Sequence, residues 1–265
     1  KVAVMMMPQA SVACLDLGLG ALQTFNRVTD GFFDSLALRR GSDDGVLYER
    51  ATRAREGELL RGFGYDFIRK GDEGGVREIH QEFRMDASDK SWGTWSRLSE
   101  IERRADGSIE AYRKRAWDGA QLRWTLTAKT GEGGALRLKA MVGDRSESLE
   151  VKPEAPLSTE LWEAPALKRV ASGALAKARY AFLTLNRDQE PALAYSTLTK
   201  VQPGVLSEDV QWPSKKPTDA PDRNELTVDN AGIVTKQVSS SVVYETMFSR
   251  GSLPRVAGKA RPSDK

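Results

Sequence analysis

The fold class is decided by the stretch Glu58-Leu-Leu-Arg-Gly-Phe-Gly-Tyr-Asp-Phe-Ile-Arg69, in which aromatic residues stand at alternate positions. A period of two with aromatic enrichment indicates a β-strand. The glycine-rich turn Lys70-Gly-Asp-Glu-Gly-Gly75 follows, and then the alternating run Val76 to Met85. Two alternating runs joined by a short turn predict a β-hairpin.

Short strands and tight turns continue along the chain. Asp-Gly turns at Asp106-Gly107 and Asp118-Gly119 favour hairpins, because this pair tolerates the positive φ that two-residue turns need. The predicted strands of the first run are 94–104, 109–117, 121–129, 135–142 and 146–151. Those of the second run are 178–186, 193–201, 205–210, 225–228, 233–238 and 241–248. We therefore predict a mostly β protein built from antiparallel meanders.

The two runs are separated by the best helical window in the chain. The segment Lys152-Pro-Glu-Ala-Pro156 ends the first run, and a helix is predicted at 164–171 with Pro165 in its first turn and Ser172-Gly173 at its end. We expect a curved antiparallel sheet or open half-barrel with one or two short helices packed on it.

Three segments are predicted from composition. Residues 45–250 form a single β-rich domain, whose two portions could be halves of one sheet that meet near 153–165. Residues 251–265 are rich in Gly, Pro and Lys and are predicted to be a disordered tail. Residues 1–44 are an apolar, targeting-like segment with a linker.

The N-terminal run Lys1 to Leu22 has the short basic start, apolar stretch and small residues of a secretory signal. Within it, Ser11-Val-Ala-Cys14 resembles a lipoprotein box, in which Cys14 would be lipidated. This interpretation predicts an exported protein of the periplasm or cell envelope. The alternative is a mature apolar strand or helix packed in the core.

Composition argues against several functional classes. The 40 basic and 37 acidic residues are interleaved, so no basic face for nucleic acid is expected. With a single cysteine and a single histidine, His80, the chain lacks the residues for a zinc site built on several such ligands. We predict no catalytic residue, no metal and no cofactor, and we expect His80 to be an exposed strand residue.

Carboxylate pairs are the acid and base chemistry that composition leaves open. Glu100 and Glu102 are two residues apart and would share one face of a strand. Cross-strand ion pairing with Arg103 or Arg113 is the favoured interpretation, and a glycosidase pair facing across a cleft is the alternative.

Aromatic residues supply the predicted ligand site. An indole offers a large rigid face with one hydrogen-bond donor, so tryptophans on a concave sheet could form an apolar or sugar-stacking groove. The predicted ligand-binding residues are Phe63, Tyr65, Phe67, Trp92, Trp95 and Trp124. Ordinary core packing is the alternative for Trp124.

The order of elements also carries a resemblance to a family. The Asp-Gly meander, the Pro-led helical segment Leu161 to Gly173 and the hairpin Leu226-Thr-Val-Asp-Asn-Ala-Gly-Ile-Val234 resemble a group of uncharacterised bacterial periplasmic proteins, over roughly 45–250. Their half-barrel fold is similar to that of lipoprotein-carrier proteins and of domains found upstream of transglutaminase-like domains. The resemblance implies an open curved sheet whose apolar concave face could hold an acyl chain or a hydrophobic protein segment.

Three functional hypotheses follow. The first is an exported, non-enzymatic protein that binds a lipid or other apolar small molecule in the concave face, with a membrane or a partner protein as a further contact. The second is a carbohydrate-active enzyme or sugar-binding module that uses carboxylates and tryptophan stacking. The third is an accessory domain that works beside a partner protein.

Overall fold

The computed structural model describes residues 2–5, 13–16, 45–88, 91–119, 121–158, 163–213 and 220–253. The chain divides into two compact units, Lys1–Ser42 and Asp43–Lys265. In the first unit, β1 (Val2–Met5) pairs antiparallel with β2 (Ala13–Asp16). The side chain of Cys14, most of the N-terminal segment and the predicted tail from residue 254 onward lie outside the described residues, so those predictions stay predictions.

The second unit contains one antiparallel sheet, and its described residues include one α-helix, α1 (Ala164–Ser172). The strands of the sheet are β3 (Val46–Glu56), β4 (Leu59–Lys70), β5 (Val76–Ser88), β6 (Ser91–Arg103), β7 (Ile109–Asp118), β8 (Gln121–Thr130), β9 (Leu136–Val142), β10 (Arg145–Val151), β11 (Lys177–Leu185), β12 (Pro191–Gln202), β13 (Val205–Gln211), β14 (Asp222–Val228), β15 (Val234–Ser239) and β16 (Val242–Gly251).

Two meanders make up this sheet. Strands β3 to β10 pair in sequence order, strands β11 to β16 do the same, and β16 pairs with β3 to join the two runs. The edges of the sheet are β10 and β11, which do not pair with each other, so the sheet is not closed into a barrel. The prediction of a mostly β, curved antiparallel sheet with a short helix packed on it is confirmed.

The sheet is so strongly curved that its two ends pack against each other. Ile101, Leu126 and Leu138, from the first meander, share a buried cluster with Leu183 of β11. The connection after β10 runs beside β11, where the Ser158 amide donates to the Ala181 carbonyl at 2.8 Å and the Ala181 amide donates to the Pro156 carbonyl at 2.9 Å. Apolar packing and these two hydrogen bonds therefore bring the ends together without a continuous ladder between them.

The helix bridges the two halves of the sheet. Pro165 stands in its first turn, and Gly173 ends it in the left-handed conformation that a side chain disfavours. Leu167 and Val170 are buried in a cluster with residues of β11 to β14. Ala164, at the start of the helix, packs with Tyr48, Ile68 and Ile233.

Glycines keep the inner face of β4 open. Gly62 and Gly64 alternate with aromatic residues that point to the opposite face. A Cβ atom added at Gly62 would clash with the backbone carbonyl of Phe83, and one added at Gly64 would lie 2.6 Å from the Thr52 hydroxyl. The neighbouring strand and side chain thus approach to distances that only glycine permits.

Replacing these glycines should separate a backbone clash from a side-chain clash. Gly62→Ala should lower the free energy of unfolding by roughly 1–3 kcal/mol, the usual cost of overpacking. Gly64→Ala should also destabilise, and Thr52→Ala in the same chain should recover most of that loss. Urea unfolding measures both effects. Rescue of Gly62→Ala by Thr52→Ala would contradict this account, because the clash there is with backbone.

Candidate functional site

A cavity of about 540 Å³ lies inside the curled sheet and is bordered by both meanders. This volume falls in the range of small-molecule binding sites in proteins. One wall is formed by β3 to β7 and the facing wall by β11 to β16, with Ser158 and Glu163 from the connection between them. We call this cavity the cleft.

An ion chain of five residues runs along the first wall. Arg50, Asp66 and His80 stand directly opposite one another on β3, β4 and β5. Arg50 donates to Asp66 Oδ2 from Nε at 2.9 Å and from its terminal nitrogen at 2.6 Å. His80 Nδ1 lies 3.0 Å from Asp66 Oδ1, and Nε2 lies 3.2 Å from Glu78 Oε2. Arg103 donates to the other oxygen of Glu78 and completes the chain.

His80 is a cation in this arrangement. Both ring nitrogens face a carboxylate, and only the protonated imidazole donates from both. Burial disfavours the charged ring, but the hydrogen bonds to Asp66 and Glu78 and the charges of both carboxylates raise the pKa of His80 to about 10. The expectation of an exposed strand residue is wrong: the side chain is 14% exposed, because it sits on the inner face of the sheet.

Asp66 is stabilised as an anion by the same contacts. Burial alone would raise its pKa, yet the charge of Arg50 and the hydrogen bond and charge of His80 lower the pKa of Asp66 to about 2. Positive and negative side chains alternate along this five-residue ion chain, so each buried charge has a partner of opposite sign.

Stability should fall with rising pH because of His80. Its folded-state pKa of about 10 exceeds the unfolded value near 6.5, so its stabilisation is complete below about pH 6.5 and is lost as pH rises towards 10. The expected slope approaches about −1.4 kcal/mol per pH unit between those limits.

Urea unfolding of the wild type and of His80→Gln at several pH values between 6.5 and 9 measures this slope. The chain has one histidine, so the slope should be absent from the variant. A wild-type stability that does not change over this range would rule out a charged His80.

A second group of charges lies further along the same wall, and we call it the arginine cluster. Glu82 accepts hydrogen bonds from Arg84 Nε at 2.6 Å and from Arg97. Both guanidinium groups lie over the ring of Trp95, at 5.1 and 5.2 Å from its centroid, and Arg84 also lies 5.0 Å from the ring centroid of Tyr244. Burial opposes ionisation of Glu82, but the charges of the two arginines keep its pKa below the usual value.

The facing wall is more apolar. Phe182 and Trp212 meet edge to face with ring centroids 5.3 Å apart. Leu183, Val210 and Leu226 border the cleft beside them. One carboxylate also stands on this wall: Glu208 accepts hydrogen bonds from Ser196 at 2.7 Å and from Asn224 at 2.8 Å.

The six predicted ligand-binding residues are spread over several environments. Trp95 lines the cleft. Phe63 is among the residues that border it, but its side chain shares the other face of β4 with Tyr65, and its ring stacks on Phe83 at 5.1 Å. Tyr65 and Phe67 share the other face of β4, where the Tyr65 hydroxyl donates to Glu49 and the two rings lie 5.9 Å apart. Tyr65 and Phe67 are therefore buried on the face of β4 that points away from the cleft, because side chains alternate between the two faces of a strand.

Trp124 and Trp92 complete the set. Trp124 packs against the apolar cluster that joins the ends of the sheet, as the core-packing alternative expects. The side chain of Trp92 lies outside the described residues.

The sequence reasoning missed most of the cleft's polar residues. In the sequence, nothing distinguishes Arg50, Asp66 and Arg97 from the other charged residues. The available signal was their position in segments whose side chains alternate between the two faces of a strand. Phe182 and Trp212 were missed because they come from separate elements that meet only in the fold.

Glu100 makes the expected cross-strand ion pairs, but with arginines other than the predicted Arg103 or Arg113, and Arg103 pairs with Glu78 instead. Glu100 accepts from Arg77 at 3.0 Å and from Arg115 at 2.8 Å, on strands flanking its own. Glu102 is exposed. Within the described ranges, no three His, Cys, Asp or Glu side chains gather as metal ligands. No helix among those residues is long and apolar enough to cross a membrane.

Comparison with known proteins bears on the fold. No protein-family model and no curated protein matches the chain. Among solved structures, it is similar to a beta-barrel-like protein of domain of unknown function DUF1849 from Brucella abortus. The TM-score is 0.54 at 11% identity, with 76% of this chain and 95% of that chain covered.

A second solved structure is a DUF1089 family protein from Pseudomonas aeruginosa. It matches with a TM-score of 0.39 at 15% identity, over 65% of this chain and 87% of that chain. The Brucella likeness shows a β-barrel-like fold, in agreement with the half-barrel part of the resemblance drawn from the sequence.

Proposed function

We propose that this chain is a non-enzymatic binding protein that holds a lipid or other apolar ligand inside its curled sheet. The observation that carries the proposal is the cleft of about 540 Å³, whose facing wall includes an apolar patch of Phe182, Leu183, Val210 and Trp212. Small-molecule sites are typically concave, with apolar and aromatic side chains that contact the ligand and polar groups that orient it.

The state of the titratable groups supports binding over catalysis. His80, the single histidine, is protonated between two carboxylates and so has no lone pair with which to accept a proton. Glu100 is held by two arginines on neighbouring strands. A general base needs a lone pair near its substrate: protonated His80 has none, and Glu100 does not border the cleft.

Trp95 also favours an apolar ligand over a sugar. Sugar stacking needs an open indole face, whereas this ring already carries two guanidinium groups. Across the cleft, the Trp212 ring instead meets an apolar neighbour, Phe182, edge to face.

Export, lipidation at Cys14 and transfer of the ligand to or from a membrane or partner protein belong to this proposal. They are supported by the apolar N-terminal run and by the resemblance to periplasmic half-barrel proteins related in fold to lipoprotein carriers.

A neutral fluorescent probe tests the proposal directly. N-phenyl-1-naphthylamine should bind saturably to the purified protein, with enhanced fluorescence from the apolar site. Trp212→Ala should weaken this binding about tenfold, equivalent to roughly 1.4 kcal/mol, because it removes part of the apolar wall.

Trp117→Ala is the matched control, since Trp117 lies beside Arg115 and does not border the cleft. The control should bind the probe as the wild type does. Absence of saturable binding to folded wild type would refute the proposed function.

A further inference from the structure

We infer that the ligand is an anionic amphiphile, whose headgroup is bound by the arginine cluster while its apolar chain lies on the facing wall. This inference rests on the proposed function and names the class of ligand. The shared chemistry of the headgroup is a carboxylate or phosphate oxygen that accepts hydrogen bonds from guanidinium groups.

Charge on the first wall is strongly biased. Its cleft-lining cations are Arg50, His80, Arg84, Arg97 and Lys114, and its cleft-lining anions are Asp66 and Glu82. Arg50 and His80 are engaged in the ion chain, together with Asp66 and Glu78. Of the other three cations, Arg84 and Arg97 share the carboxylate of Glu82 in the arginine cluster, and Lys114 lies opposite Ser99, two residues along β6 from Arg97.

Geometry suits this cluster to a second anion. A guanidinium group has five N–H donors in a planar fork and binds carboxylate or phosphate in a bidentate manner. Glu82 takes the Nε donor of Arg84 and a terminal donor of Arg97, and cation–π contacts with Trp95 hold both groups in place. Donors fixed by their own neighbours lose little entropy when a ligand binds.

Partial burial strengthens the attraction. The side chains of Arg84 and Arg97 are 32% and 33% exposed, and that of Glu82 is 21% exposed. Solvent can reach a headgroup at this position, yet screening is weaker than at an open surface. An anion can therefore enter from water and still gain from both guanidinium charges.

The facing wall orients the ligand. Glu208, held there by the neutral donors of Ser196 and Asn224, would repel an anionic headgroup, and Glu163 adds a second negative charge to the lining. Lys236 is the cation on this wall, so its lining holds two anions against one cation, the opposite balance to that of the first wall. Phe182 and Trp212 on the same side offer apolar surface for a chain. Repulsion on one side and attraction on the other leave one favourable direction for an amphiphile.

Competition against N-phenyl-1-naphthylamine tests the inference, with oleate, methyl oleate and lysophosphatidate each kept below its critical micelle concentration. Oleate and methyl oleate have the same chain and differ in headgroup charge. The wild type should bind oleate at least about tenfold more tightly than the ester, as expected for one charge-assisted hydrogen bond. The ratio of oleate to lysophosphatidate affinity distinguishes a free carboxylate from a lipid phosphate.

Variants of the cluster should move this preference in opposite directions. The double variant Arg84→Gln/Arg97→Gln should lose the preference for oleate over methyl oleate. The triple variant that adds Glu82→Gln should lose this preference as well, and it leaves no unpaired buried carboxylate that could destabilise the fold. Glu82→Gln alone removes the competing anion and should increase the preference for oleate. Arg123→Gln, which alters an exposed pair with Asp118, is the control and should leave the preference unchanged.

Three results separate the inference from the proposed function. Saturable probe binding with equal competition by oleate and its ester would overturn the inference and leave the proposed function standing, as would a preference that survives in the folded triple variant. Failure of the wild type to bind the probe would overturn the proposed function itself.

Discussion

The ladder between β16 and β3 is the interaction on which the rest of the structure depends. It joins the last strand of the sheet to the first, from Val242 opposite Glu56 to Gly251 opposite Tyr48. Side chains reinforce it: Arg53 Nε lies 3.1 Å from Glu245 Oε2, and the Ser241 hydroxyl donates to Glu56 at 2.6 Å. Without this ladder, each meander would expose a further long edge of unpaired backbone groups.

The same ladder creates the cleft. It places Tyr244 and Thr246 beside Ala54 and Thr52, so that the inner faces of the two meanders become one concave surface. Charged residues from the first meander then face apolar residues from the second. The cost of burying those charges is offset by alternation of sign, from Arg50 through Asp66, His80 and Glu78 to Arg103. The cleft is consequently amphipathic, which suits a ligand with both a polar and an apolar part.

Local sequence signals predicted most of the elements. Asp-Gly turns fix hairpins through backbone conformation, and Pro165 with Gly173 fixes the helix through its first turn and its end, so these features needed no tertiary information. The possibility that two β-rich portions form halves of one sheet was also visible in the sequence. The β16 to β3 pairing was not, because its partners are nearly two hundred residues apart and any edge strand could satisfy the same hydrogen bonds.

The candidate site shows which structural features the sequence alone could not determine. By itself, the sequence determined that Phe63, Tyr65 and Phe67 share one face of β4 and that Gly62, Gly64 and Asp66 share the other. Only the tertiary structure decided which of these faces lines the cleft, because both are buried and alternation is symmetric between them. The residues around His80 were enough to place it on a strand. Its charge could not be predicted in this way, because it depends on Asp66, which lies next to His80 only through the pairing of β4 with β5.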